Sequence, residues 1–291
     1  MNFALQIVLN GIVTGAIYAL IAVGYSVTFT TMRVLNFALG MWVMLGGLLT
    51  YTLYVQGGFN IAITGAGVVI ALAALGAVCE RLTVRPFLKT GSEAWVMATL
   101  AVGLLFVDFA ELIWGRDPLR VPAYLGQEVL RFGAYGVYPQ QILIVVCTAA
   151  VFLALDFFYY RTLLGRAFRA VAHDPEVAEL MGVDSSKVAT LSYAAACGLG
   201  GFAGLMIAPI TLVDPQMGTT LGLKAFVGPV MAGLAAPRGI LLCGILYGVG
   251  EGLISGYLFS GIRDILACAL MILILYFRPE GLFGEPAAER I

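Results

Sequence analysis

Charged residues are scarce in this sequence. Only 11% of its 291 residues are charged and 61% are hydrophobic, whereas a soluble domain carries roughly 25% charged residues. The mean hydropathy is +0.97. This composition leaves no room for a soluble catalytic domain and predicts a polytopic membrane protein. The formal net charge of −1 favours neither nucleic acid nor anionic lipid as the main partner.

Several motifs are also missing, and each absence removes a class of function. The chain has no G-x-x-x-x-G-K-[ST], so it does not hydrolyse nucleotide through a P-loop. It has neither H-E-x-x-H nor G-x-S-x-G, and no helix with the periodic arginines of a voltage sensor. The five cysteines lack metal-site spacing. The start, MNFALQ, lacks a basic region, so we predict a first membrane span rather than a cleaved signal.

What the sequence does contain is a series of nine apolar segments. A membrane-spanning helix needs about 20 mainly apolar residues. The segments are Ala4–Thr30, Val34–Tyr54, Ile61–Cys79, Trp95–Trp114, Gln141–Tyr160, Val188–Val213, Leu223–Ala236, Ile240–Tyr257 and Ile262–Phe277. The seventh is short and contains Gly228-Pro229, so it either crosses or re-enters. We predict an all-α polytopic membrane protein with about eight to nine transmembrane helices, forming a single domain over residues 1–291.

Basic residues between these segments predict the orientation of the chain. The loops Arg81–Lys89 and Arg161–Lys187 are the two basic ones, and an even number of segments separates them. Both loops can therefore be cytoplasmic, as the positive-inside rule requires. With nine crossings, the N-terminus lies outside and the C-terminus inside.

The stretch 161–187 is the longest polar interruption and predicts a short helix. Asp174 is a suitable N-cap, and Pro175 suits the first helical position, where a missing N–H costs nothing. Glu176 and Glu179 follow where the helix dipole favours negative charge.

One face of this short helix is apolar. Val177, Leu180 and Met181 are spaced three and four apart, and Gly182 ends the turn. His173, just before the helix, has the context of a solvated loop residue. We therefore predict an amphipathic helix on the cytoplasmic membrane surface, where a partner can dock.

A few polar residues fall inside the apolar segments. Asp108 and Glu111 share one helix face toward the outer end of the fourth segment, and Glu251 lies between Gly250 and Gly252 in the eighth. Each either lines a pathway or makes a buried contact to a neighbouring helix, because a charge at membrane depth must face protein or water.

Two further polar residues lie toward the inner ends of their segments. Asn36 either loosens a helix that lines a cavity or caps that helix. Tyr193 lies on the inner side of the sixth segment. We predict both near an inner gate.

Three stretches resemble the LivH-type permease subunits of branched-chain amino acid ABC importers. They are Asn10–Gly47, the central loop, and Asp214–Gly284, which together cover well over half of the chain in the family order. In the central loop Glu176, Ala178 and Gly182 fall on the E-A-A-x-x-x-G pattern that such permeases present to their ATPases; the match is partial, since Glu-Val-Ala replaces the start.

The sequence departs from the family at two places. Leu39 replaces the usual His after Asn-Phe-Ala, which makes the predicted inner gate more hydrophobic. The pattern Gly-Gly-Ile-Gly-Ser reads Ala-Gly-Leu-Ala-Ala at 232–236. Close relatives carry urea, short amides or aromatic acids, so these substrates remain alternatives to a branched-chain or other hydrophobic amino acid.

The resemblance implies a non-enzymatic importer subunit in the bacterial inner membrane. Its implied partners are a second related permease in a heterodimer, two cytoplasmic ATPase subunits that bind ATP and Mg, a periplasmic substrate-binding protein and the lipid bilayer, but not nucleic acid. A passive channel or facilitator is the rival from another class, and it would need no docking helix. The predicted ATPase-coupling residues are Asp174, Glu176, Ala178, Glu179, Met181 and Gly182. The predicted pathway residues are Asn36, Leu39, Asp108, Glu111, Tyr193 and Glu251.

Overall fold

The computed structural model describes residues 2–89, 92–126, 128–132, 135–234, 237–257, 263–278 and 281–283. Within these ranges the chain forms helices and one small antiparallel hairpin. The helices are α1 (Asn2–Met32), α2 (Leu39–Thr50), α3 (Ile61–Cys79), α4 (Arg85–Lys89), α5 (Trp95–Trp114), α6 (Pro139–Arg161), α7 (Leu163–His173), α8 (Pro175–Leu180), α9 (Ser185–Ile207), α10 (Met217–Ala232), α11 (Pro237–Tyr257) and α12 (Arg263–Phe277). The strands are β1 (Leu130–Phe132) and β2 (Tyr135–Val137).

Each of the nine predicted apolar segments corresponds to a helix. Among the described residues, 7 helices are long and apolar enough to cross a membrane. The other two segments form α10, with 16 residues, and α12, with 15, both shorter than the usual span of about 20. Ala236 and Ile262, which bounded two predictions, lie outside the described residues. The prediction of an all-α polytopic membrane protein is confirmed.

The predicted loop Arg81–Lys89 is a helix instead. α3 continues through a π-helical turn, Glu80–Val84, into α4, so that one helical segment runs over Ile61–Leu88. Arg and Leu are good helix formers. The charged residues therefore mark the end of the apolar region without ending the helix.

The centre of the bundle consists of α1, α2 and α9. In α9, 78% of the most apolar stretch is buried, against 17% in α6. Small residues allow the central backbones to approach closely: a Cβ atom on Gly46 of α2 would lie 2.7 Å from the Cα of Gly201 on α9. The most buried helices are thus the ones with glycine at their crossings.

Contacts along α1 give the direction of its neighbours. A Cβ on Gly11 would meet Val249 and one on Gly15 would meet Ile245, so α11 runs antiparallel to α1. Gln141 donates to Asn10 at 3.3 Å and Thr148 donates to the carbonyl of Ala16 at 3.3 Å, so α6 runs parallel to α1. The C-terminal ends of α1 and α6 therefore lie together, at what we call the basic face, which carries Arg33, Arg81, Arg161 and Arg166. The other end, with the hairpin, is the opposite face.

The helix α2 begins deep within the bundle. Asn36, just before it, contacts Cys197, which lies 12 residues after the start of α9 at Ser185, or about 18 Å along that helix. Val34, Asn36 and Ala38 are all buried. Non-helical backbone at such depth is tolerated only inside protein or beside water.

The helix α10 crosses the bundle rather than re-entering. Gln216, just before it, donates to Glu111 near the opposite face at 3.2 Å. At the other end, the carbonyls of Met231 and Ala232 accept the backbone N–H groups of Leu282 and Phe283. Phe283 also packs against Gly239 at the start of α11, on the basic side. These contacts support the alternative in which the seventh predicted segment crosses the bundle.

The stretch between the fourth and fifth predicted segments contains a strand pair that the sequence pattern did not indicate. β1 and β2 pair antiparallel, with Leu130 opposite Val137. Gln6 of α1 donates to the carbonyl of Gly136, and Leu119 pairs with Val213 through two backbone hydrogen bonds. These contacts hold the loop over the ends of α1 and α9.

Candidate coupling surface and translocation pathway

The polar stretch 161–187 folds as two helices, α7 and α8. Asp174 ends α7 and caps α8, because its Oδ1 accepts the backbone N–H groups of Glu176 at 3.0 Å and Val177 at 3.1 Å. Pro175 occupies the first turn. The predicted N-cap and helix start are therefore confirmed. The helix α7 was not predicted, although Leu164, Phe168 and Val171 have helical spacing.

A small apolar cluster anchors both helices to the base of the bundle. Phe168 and Val171 of α7, Ala178 of α8 and Val188 of α9 are buried together. Phe158 of α6 stacks edge-on against Phe168, with ring centroids 5.4 Å apart. Ala178 is only 4% exposed. It therefore fixes the position of α8 and is covered by the bundle, while contact of its exposed neighbours with a partner stays a prediction.

The outward side of α8 is apolar and acidic. Leu180 is 87% exposed and Met181 80%, and the side chains of Glu176 and Glu179 are exposed beside them. Glu179 accepts a hydrogen bond from the Ser185 hydroxyl. The surface formed by Glu176, Val177, Glu179, Leu180, Met181 and Gly182 is called the coupling surface below.

The coupling surface ends at Gly182, whose backbone is left-handed with φ +84°. Val183 then donates back to the carbonyl of Ala178 at 3.0 Å, which closes the turn as helix C-terminal glycines do. Just beyond, Asp184 caps α9 and pairs with Lys187 at 3.0 Å. Hydrogen bonds from Lys187 hold the pKa of the exposed Asp184 carboxyl below its ordinary value.

The predicted inner-gate residues Asn36, Leu39 and Tyr193 are all buried in the central core. Asn36 Oδ1 accepts the backbone N–H of Ala38 at 3.1 Å, which is an Asx-turn leading into α2. Its amide contacts Cys197, one turn after Tyr193 on α9. A role for these residues in a gate stays a prediction.

Leu39 packs between two glycines. A Cβ on Gly24 of α1 would lie 2.9 Å from Leu39 Cδ2, and one on Gly200 of α9 would lie 3.6 Å from Cδ1. The leucine side chain thus fills the gap where three helices cross. Leu39 is therefore a tightly packed apolar residue at a closed crossing, and its part in a hydrophobic inner gate stays a prediction.

Asp108 and Glu111 lie toward the opposite face, as predicted, but have different surroundings. Asp108 is exposed on α5. Glu111 is partly buried and accepts from Arg116 Nε at 2.7 Å and from Gln216 at 3.2 Å. Glu111 therefore ties α5 to the next loop and to the start of α10, which is the helix-contact alternative left open by the sequence.

Glu251 forms an ion pair that joins α11 to α10. Its Oε1 lies 3.1 Å from Lys224 Nζ, and both side chains are largely buried. The sequence left open whether Glu251 lines a pathway or contacts a neighbouring helix, and it did not indicate Lys224 as the partner. They are 27 residues apart in sequence, and only the packing of two helices brings them together.

A second buried ion pair was not foreseen. Glu80, in the π-helical turn, pairs with Arg85 at 3.1 Å and accepts from the Thr190 hydroxyl at 2.9 Å. Arg85 also donates to the carbonyl of Ser186. Arg85 lies in the predicted loop Arg81–Lys89 and Glu80 lies just before it, so no helical spacing was expected for the two residues.

The fold and these sites define a class of protein: a polytopic helical membrane protein with a short, exposed amphipathic helix on its basic face and charged pairs inside the bundle. The family model for the branched-chain amino acid transport system / permease component matches residues 7–275. The chain belongs to this permease family, whose members are membrane components of transport systems.

Individual relatives extend over nearly the whole chain. The chain is 27% identical to the high-affinity branched-chain amino acid transport system permease protein LivH of Escherichia coli (strain K12), covering 99% of this chain and 98% of that one. It is 29% identical to BraD of Pseudomonas aeruginosa, with the same coverage. Among solved structures, PsaBC from Streptococcus pneumoniae in complex with Fab gives a TM-score of 0.48 at 15% identity, over 96% and 93% of the two chains.

Proposed function

We propose that this chain is a permease subunit of an ATP-driven importer for a small solute, with a branched-chain or other hydrophobic amino acid as its substrate. The coupling surface carries the proposal, because exposed Leu180 and Met181 are costly in water and suit a protein partner. Membership of the permease family supports the substrate class.

The proposed assembly follows from two features of the chain: it has no P-loop motif, and it exposes the coupling surface. Cytoplasmic ATPase subunits, which bind ATP and Mg, contact the coupling surface on the basic face. A second related permease completes the pathway in the bacterial inner membrane. A substrate-binding protein delivers the amino acid at the opposite face, where Arg116, Asp117 and Pro118 are exposed.

Gly182 offers the sharpest test of the coupling surface. A valine at this position would be forced into left-handed backbone, which costs about 1–2 kcal/mol, whereas asparagine tolerates it. Space is not limiting, since nothing lies within 4 Å of a Cβ at Gly182. We expect Gly182→Val to lower ATP-dependent leucine uptake roughly 5- to 30-fold, with normal amounts of folded protein.

The matched control is Gly182→Asn, which should keep uptake near the wild-type level. ATP hydrolysis and leucine uptake are measured on the same proteoliposomes, made with the complete transporter. Continued ATP hydrolysis without uptake in Gly182→Val is the expected result. Wild-type leucine uptake by Gly182→Val would show that this turn does not couple ATP hydrolysis to uptake.

A further inference from the structure

Positive charge is concentrated where α6 ends and α7 begins. The whole chain has a net charge of −1, yet the stretch between Asp156 and Asp174 contains three arginines, Arg161, Arg166 and Arg169, and no carboxylate. All three arginines are exposed. None of them forms an ion pair with another residue in the part of the chain that the structure describes. A local excess of positive charge therefore lies beside the last turn of α6.

The last turn of α6 lies at the boundary of the membrane. The 23 residues of α6 extend over about 34 Å, and the hydrocarbon core of a bilayer is about 30 Å thick. Phe157 and Tyr160, which share one face near the end of the helix, are both exposed. Tyrosine is enriched where a membrane-spanning helix meets the headgroups. The end of α6 is therefore at the level of the phospholipid headgroups.

The helix α7 folds back tightly against this end of α6. Thr162 Oγ1 accepts the backbone N–H of Gly165 at 2.9 Å and caps α7. A Cβ on Gly165 would strike the backbone of Phe158, so the absence of a side chain at Gly165 permits the close approach. The buried face of α7 carries the apolar cluster described above. Arg166 and Arg169 therefore lie on its outward side.

The arginines lie beside exposed apolar side chains. The guanidinium carbon of Arg169 is 5.1 Å from the centre of the Tyr160 ring, a cation–π distance, which places this charge beside the exposed end of α6. Leu163 is 75% exposed and Leu164 55%. Arginines next to exposed leucines are typical of amphipathic helices that lie in the membrane interface. The residues Tyr160, Arg161, Leu163, Leu164, Arg166 and Arg169 are called the α6–α7 corner below.

We propose that the α6–α7 corner binds an anionic phospholipid from the leaflet at the basic face. The guanidinium groups of the arginines bind the phosphate and the anionic headgroup, because their planar sets of N–H donors match phosphate oxygens. Leu163 and Leu164 contact the upper part of the acyl chains. The bound lipid thus neutralises the local positive charge and removes both leucines from water.

The corner differs from the coupling surface in charge and in position. The coupling surface carries Glu176 and Glu179, whereas the corner carries cations alone. Tyr160, Leu163 and Leu164 lie at the membrane boundary, where lipid is the neighbour that every membrane supplies. These features favour a lipid over a protein as the partner of the corner.

Photo-crosslinking measures lipid binding at the corner directly. The full chain is purified into phosphatidylcholine nanodiscs that contain phosphatidylglycerol with a photoreactive group in the upper part of its acyl chain. We expect the labelled residues to lie within 157–169. Unlabelled phosphatidylglycerol should compete for this labelling much better than additional phosphatidylcholine, which has no net charge. Inorganic phosphate should compete poorly, because it has no acyl chain for the leucines to contact.

The variants Arg166→Gln and Arg169→Gln test the role of the guanidinium groups. Both side chains are exposed, so the variants should fold. Each change should raise the fraction of phosphatidylglycerol needed for half-maximal labelling about fivefold, and both together roughly 20- to 30-fold. Arg169→Lys keeps the charge and should recover part of the loss. The matched control is Arg81→Gln, which removes another exposed arginine of the basic face and should leave the labelling unchanged.

Four results would overturn the proposal. Equal competition by phosphatidylcholine would mean ordinary boundary lipid without headgroup selection. An equal loss of labelling in Arg81→Gln would mean diffuse attraction to the whole basic face. Displacement by inorganic phosphate as effective as by phosphatidylglycerol would mean that the arginines bind a free anion. Normal lipid labelling of the double variant, with loss of a co-purifying ATPase, would assign the corner to the protein partner. None of these results depends on Gly182, so the proposed function is tested separately.

Discussion

At the scale of single residues, two glycines on α11 show how packing decides the effect of one methyl group. A Cβ on Gly248 would lie 2.6 Å from the carbonyl oxygen of Gly11 and would also strike the backbone of Gly15. A Cβ on Gly250 meets nothing within 4 Å. We expect Gly248→Ala to destabilise the fold by roughly 1–3 kcal/mol.

Gly250→Ala should instead be neutral or stabilise by about 0.5–1 kcal/mol, because alanine restricts the unfolded chain more than glycine does. Thermal unfolding of the purified protein in detergent compares the two variants. Equal midpoints for Gly248→Ala and the wild type would mean that α1 and α11 separate easily.

Residue-level predictions succeeded where the signal is local. Asp174 and Pro175 begin a helix through contacts within three residues, and sequence shows this directly. For Asn36 the sequence left two alternatives, a loosened helix that lines a cavity or a helix cap. Its contact with Cys197 joins residues 161 positions apart, and no local signal indicates such a contact. The burial of Ala178 could not be predicted either, because it depends on packing against α7 and α9.

At the scale of elements, the Glu80–Arg85 pair connects three helical segments near the coupling surface. Glu80 is 1% exposed and Arg85 27% exposed. Removing Arg85 leaves a buried carboxylate without its cation, whereas removing Glu80 leaves a cation that reaches water. We expect Arg85→Gln to cost roughly 3 kcal/mol of stability, clearly more than Glu80→Gln.

The double variant Glu80→Gln/Arg85→Gln should recover part of that cost, because it leaves no buried charge. A double-mutant cycle of unfolding measurements gives the coupling energy between the two side chains. Additive effects of the single changes would contradict a direct interaction.

Helix boundaries were predictable where polar residues or breakers end an apolar run. Trp95–Trp114 was predicted with the bounds that α5 has, since Gly115 has a positive φ and ends the helix. The helical stretch after Cys79 was not predicted, because the charged residues that follow Cys79 were interpreted as a loop. The hairpin was missed because its strands are only three residues long.

At the scale of the whole molecule, the order of helices places the basic stretches 81–89 and 161–187 on one face. Ser92 and Asp117 are exposed and lie on either side of α5. We expect Ser92→Cys to react with an impermeant thiol reagent only from the cytoplasmic side, and Asp117→Cys only from outside. The test uses a background without native cysteines, in right-side-out and inside-out vesicles.

Labelling of both positions from the same side would contradict α5 as a crossing helix, and exchange of the two sides would invert the orientation.

The overall class was predictable from composition and from the pattern of apolar residues, because nine apolar runs in 291 residues admit few alternatives. The arrangement of those helices was not: glycines repeat every four residues at Gly11 and Gly15 of α1 and at Gly244, Gly248 and Gly252 of α11, and this pattern indicates close helix packing without identifying the partner helix.

The short segment 281–283 has a consequence for the order in which the protein is made. Its backbone N–H groups bond to the last carbonyls of α10, at Met231 and Ala232, and Phe283 covers Gly239. Chains fold from the N-terminus during synthesis, yet these contacts form only after α12 has been translated. The basic ends of α10 and α11 therefore lack these contacts until the final part of the chain has been made. A ribosome that stalls within α12 leaves a bundle that is inserted in the membrane without the hydrogen bonds from Leu282 and Phe283.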